Sequence, residues 1–138
     1  MNFALNYNLT PADRIVAPLA ETGITKHHAI YLGFNEFGQE LIAENNIKQG
    51  VRVITARQFE LEHPVISRIE KFCGTDSERQ VAINVAISLT GANYDLFLYN
   101  CEHYANQIQY GKAESKQIQN FLFFAGLLTL GCLMNNNN

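Results

Sequence analysis

Cys101 lies in the run Asn100-Cys101-Glu102-His103-Tyr104, and its surroundings suit a nucleophilic thiol. Asn100 is a strong N-cap, so Cys101 opens a helix that runs to Tyr110 and closes at Gly111. At a helix start the macrodipole and the free backbone N–H groups favour a thiolate and offer a donor to an oxyanion. Glu102 works against the first effect by adding a negative charge next door. Helical spacing puts Ala105 and Ile108 on the face of Cys101, so that face is apolar and carries the thiol inward against a sheet. A thiol so placed needs a base, and the sheet has to supply it.

The four histidines sort by geometry. His103 lies about 200° around the helix from Cys101 and cannot serve the thiol. His63 precedes Pro64 and reads as a solvated loop histidine. His27 and His28 begin a strand and point to opposite faces, so one of them can face a helix lying on the sheet. Alternation alone does not choose between them. The plainer alternative is a Cys that fills space and a strand-end His that is merely hydrogen-bonded. A metal site is not expected, because adjacent strand residues diverge and no third ligand is evident.

These residues need a scaffold, and composition allows one. The chain has 138 residues, 47% of them hydrophobic, the size of one domain with a real core. Its net charge of −3, with no run of Lys or Arg, argues against nucleic acid. Three cysteines without a CxxC pair suit free thiols in a reducing compartment, not a disulfide framework. The first residues lack the basic and apolar regions of a signal peptide, so the expectation is a cytoplasmic protein that is not secreted.

Residues 1 to 26 read as irregular, apart from a short strand at Ile15-Val16, and no helix is expected before the sheet. Strands are expected at His28 to Leu32, Leu41 to Glu44 and Val51 to Ile54, close enough in sequence for an antiparallel meander. Thr55 to Gln58 has the spacing of a capping box for a helix ending before Pro64, and Val65 to Phe72 reads as another strand. Thr75 to Glu78 caps a further helix carrying Ala82, Val85, Ala86 and Leu89. The fold class is therefore α+β, a small antiparallel sheet packed with helices. Phe121 to Met134 carries no charge and spans roughly 21 Å as a helix, short of a bilayer core of roughly 30 Å. It is a tail that dips into a membrane, packs on protein, or belongs to a truncated spanning helix.

Asn100-Cys101-Glu102-His103-Tyr104 resembles the Asn-Cys-Glu-His-Phe motif of the lecithin:retinol acyltransferase-like family, which includes small phospholipase/acyltransferases of the H-Ras-like suppressor group. His27 to Gly33, HHAIYLG, is similar to that family's strand beginning with its catalytic His. Tyr94 lies in a segment, Gly91 to Asp95, that resembles the one preceding the nucleophile, and Pro11, Asp13 and Ile15 fit the family's start. The resemblance covers roughly residues 9 to 111. It implies a circularly permuted NlpC/P60 papain-like fold over residues 1–116, followed by a tail over 117–138. It also implies Cys101 as nucleophile and His27 as general base, with His28 in reserve because the family more often has an aromatic residue there. The family's third polar residue, commonly a second His, is absent; aligning the apolar pair before it puts Glu44 in that place, with Asn45 next. Asn100, Glu102 and His103 are expected to support the motif.

The activity so implied is a thiol acyltransferase or phospholipase A acting on glycerophospholipid esters without a cofactor. Membrane contact would come through Phe121 to Met134. An NlpC/P60-type cysteine amidase or peptidase, and a binding domain without turnover, are the competing readings.

Overall fold

Residues 2–19, 25–120 and 122–123 are described by the computed structural model. The elements are α1 (Phe3–Tyr7), β1 (Arg14–Pro18), β2 (Lys26–Phe34), β3 (Glu40–Asn46), β4 (Gly50–Thr55), α2 (Ala56–Glu62), β5 (Arg68–Glu70), α3 (Asp76–Ser88) and α4 (Cys101–Tyr110). The strands form one sheet in the order β4-β3-β2-β1-β5, every neighbouring pair antiparallel. The protein is thus α+β, with a five-stranded antiparallel sheet among its described residues.

β2 is central and buried on both faces, so its apolar run divides between two cores. Ile30, with Ala43 of β3, packs on Ala82 and Ala86 of α3 and on Tyr104, Ala105 and Ile108 of α4. Ala29, Tyr31 and Ile42 point the other way, onto Phe3 of α1 and Ala56 and Phe59 of α2. The two-residue period then assigns His28 to the face of Ile30 and His27 to that of Ala29.

Two departures from the sequence-based expectation have tertiary causes. A helix does precede the sheet: in α1 the Asn2 side chain accepts the Leu5 N–H, and the Glu40 carboxylate accepts those of Phe3 and Ala4, each at 2.7 Å. Five residues do not hold a helix alone, and Glu40, distant in sequence, supplies what local propensity lacks. The strand expected over 65–72 is reduced to Arg68–Glu70. Beyond it Asp13 accepts the Phe72 N–H at 3.0 Å and binds Lys71 Nζ at 2.8 Å, which draws the chain off the sheet edge.

The segment leading to Cys101 is fastened at Gly50, which has φ of +70°. A Cβ there would lie 2.2 Å from the Ala92 carbonyl oxygen, so only glycine fits. Val51 N donates to that same oxygen and Gly91 N to Val51 O, both at 2.8 Å. These bonds fasten residues 91–92 to the first residues of β4.

Candidate active site

α4 starts where its sequence says it should. Asn100 Oδ1 accepts the N–H groups of Glu102 (2.9 Å) and His103 (3.1 Å), and His103 Nδ1 accepts that of Asn100 at 3.2 Å. The imidazole of His103 therefore completes a capping box and has no part in serving the thiol. Those caps do not use the Cys101 N–H, which stays available as an oxyanion donor. Asn100→Ala is expected to cost about 1–2 kcal/mol, read as a lower melting temperature.

Cys101 is buried, 4% exposed, and its Sγ donates to the carbonyl of Lys26 at 3.6 Å. Lys26 immediately precedes His27, so the thiol sits at the very start of β2. His27 Nε2 lies 2.5 Å from Glu44 Oε2, which leaves Nδ1 to the thiol. Burial pulls the His27 imidazole down, but the Cys101 thiol and the Glu44 carboxylate outweigh it and raise it to about 9. Burial likewise pushes Glu44 up, and the hydrogen bonds and charges of His27 and Arg52 reverse that, holding it at about 2. Arg52 Nε donates to Glu44 Oε1 at 2.7 Å, so each carboxylate oxygen has a partner. A charge buried like Glu44, 0% exposed, persists only when paired in this way. The structure thus brings Cys101, His27 and Glu44 together.

His28 is held apart from them. It lies on the α4 face of the sheet, where Arg14 Nε donates to its Nδ1 at 2.9 Å. Burial and the Arg14 charge push its imidazole down to about 2, so it stays neutral and committed to the arginine. Asn45 is on the opposite face from Glu44, its Nδ2 donating to Tyr99 O at 2.8 Å. His63 differs from the sequence expectation of a solvated loop residue: its side chain is 13% exposed and its ring stacks on His27, centroids 4.5 Å apart. α2 carries it there as the residue after its last turn, a placement no local pattern encodes.

Among the described residues, His27, Glu44 and His63 bring ligand atoms within 4.8 Å of one another. Imidazole lone pairs lie in the ring plane, and these two planes are only 17° from parallel. Two stacked rings do not converge on one ion, so the grouping suits proton handling better than metal binding.

Glu102, the acidic residue of the motif, turns to the segment after α4. Its Oε2 accepts from Ser115 Oγ at 2.5 Å and from Gln117 N at 2.9 Å. Gln117 Oε1 in turn accepts the Lys26 N–H at 3.0 Å. This ties residues 115–118 over the thiol end of α4, where Gln117 and Ile118 help to wall a cavity of about 220 Å³. Tyr94, Leu96, Phe97, Leu19 and Cys101 complete most of its lining. Burial and the nearness of Cys101 and Asp95 raise the Tyr94 phenol to about 12, so it presents a neutral hydroxyl.

No described helix is long and apolar enough to cross a membrane, and most of Phe121 to Met134 lies outside the described residues. The chain matches no protein-family model, no curated protein and no solved structure.

Proposed function

We propose that this protein is a thiol-dependent acyltransferase or phospholipase A that opens glycerophospholipid esters through an acyl-thioester on Cys101. The observation that carries the reading is the buried line of Cys101, His27 and Glu44 with a largely apolar cavity ending at the thiol. A fatty acyl chain needs apolar walls, whereas a peptide needs backbone partners, and this favours lipid over the amidase or peptidase alternative. The order of the elements, His strand first and Cys helix last, supports the circularly permuted NlpC/P60 arrangement of the lecithin:retinol acyltransferase-like family. The uncharged stretch Phe121 to Met134 fits the same reading as a membrane contact.

Raised to about 9, His27 holds the proton from the thiol on Nδ1 before Sγ attacks the ester carbonyl, and Glu44 stabilises that imidazolium. The Cys101 N–H donates to the oxyanion. His27 then gives its proton to the leaving alkoxide, which departs as the lysophospholipid, and leaves an acyl-thioester. Water or an amine takes the acyl group, and the thiol returns. Each proton that leaves Cys101 is accounted for at His27.

The test is the intact mass of the protein after mixing with phosphatidylcholine or phosphatidylethanolamine vesicles, beside Cys101→Ala. The expected result is a gain of one fatty acyl chain that hydroxylamine removes and that the alanine variant lacks. No adduct together with no released fatty acid would move the substrate to a peptide or amide.

A further inference from the structure

His63 has no place in the thiol–imidazole–carboxylate line, yet it lies directly against it. Its backbone N–H donates to Phe59 O at 2.8 Å, which fixes it at the end of α2. Its ring lies face to face with His27, planes 17° from parallel. Phe59, its ring centroid 4.8 Å from that of His63 and 6.1 Å from that of His27, closes the stack. His63 Nε2 is buried with no hydrogen-bond partner and stands 3.8 Å from Glu44 Oε2.

An unpaired buried nitrogen is a cost that phenylalanine at the same place would remove, so stability alone does not account for the histidine. The charged and titratable groups around it are His27 from β2, Glu44 from β3, Arg52 from β4 and Glu62 from α2 itself. Burial first, and then the neighbouring His27, hold His63 below its ordinary value. Both effects favour the neutral form of the ring. A neutral aromatic face attracts a cation placed over it, and here the cation is the imidazolium formed as the thiol ionises.

We propose that His63 is a positioning residue for the general base: its stacked ring fixes the plane of His27 toward Cys101 and favours the charged form of that imidazole. Glu44 holds the ring edge, and His63 holds its face. The inference rests on the assignment of Cys101 and His27 as a reacting pair, not on the identity of the acyl donor.

The test uses the full chain as wild type, His63→Leu and His63→Phe. Cys101 labelling by iodoacetamide at pH 6 is followed by peptide mass mapping, which separates it from Cys73 and Cys132, and the His27 ring is titrated by ¹⁵N NMR. His63→Leu is expected to slow labelling about three- to tenfold and to lower the His27 titration, the range of a buried cation–ring contact. His63→Phe, which keeps the ring face, is expected to restore both. Should the leucine variant melt below the assay temperature, His63→Gln replaces it with the same expectation. Labelling and titration that match wild type without the ring overturn the proposal. So does a phenylalanine variant as impaired as the leucine one, which would move the role to Nε2. Wild-type Cys101 that fails to label at pH 6 would instead sink the thiol–imidazole pair itself.

Discussion

His27→Gln is expected to lower the rate of Cys101 acylation by about 10²–10⁴, the range for losing a positioned general base. His28→Gln, one residue away, is expected to leave acylation unchanged. The contrast follows from which face each ring occupies. His27 is shared by the Cys101 thiol and Glu44, whereas His28 accepts from Arg14 on the other side of the sheet. Rates of acyl-adduct formation by intact mass, read for both variants on the same vesicles, check this. Equal losses in the two would mean that the base is not chosen by facing. A large loss in His28→Gln alone would reverse the assignment.

Glu44→Gln is expected to act on both stability and chemistry. Removing one member of a buried pair costs about 3–5 kcal/mol, because it leaves the partner charge uncompensated. Here His27 loses its charged acceptor outright, while Arg52 keeps Glu62. The His27 titration should therefore fall back toward its ordinary value of 6.5, and acylation near pH 7 should drop with it. Chemical denaturation and the His27 NMR titration together separate the two effects. A variant with unmoved His27 titration would remove Glu44 from the site.

The same groups set how stability depends on pH. His27 is raised in the folded state, so its contribution is complete below 6.5 and is lost as pH rises through about 9. Glu44 is lowered, so its contribution is complete above 4.5 and is lost as pH falls toward about 2. His28 is also lowered; the unfolded chain binds its proton first, and stability declines as pH drops below 6.5. A maximum near pH 6.5, with stability falling on both sides, is the expected denaturation profile, and Glu44→Gln should flatten its alkaline side.

Much of this was legible locally, and the remainder divides along one physical line. The start of α4 is written in Asn100, whose side-chain oxygen accepts the N–H groups that follow it. The capping box of α3 at Thr75 and Glu78 is equally local. The placement of Glu44 was less so. The register between β2 and β3 shifts between Tyr31 and Gly33, and a one-residue slip exchanges Glu44 for Asn45 across the sheet. Aligning Ile42-Ala43 with the apolar pair of the family it resembles narrows the third residue to Glu44 or Asn45, and the Ala29–Glu44 pairing puts Glu44 on the face of His27.

Readable from the residues alone were the thiol at a helix start and the two histidines that open a strand on opposite faces. All are consequences of capping or of the two-residue period, which act over a few bonds. Alternation left open which histidine meets the thiol, because that depends on how α4 lies across the sheet. The body of α4 covers the face of His28, but its first residue overhangs the start of β2, and there Sγ reaches the Lys26 carbonyl beside His27. The same holds for α1, made by Glu40, and for His63, which α2 carries onto the base. Their partners are distant in the chain, and contacts of that kind exist only once the sheet has closed.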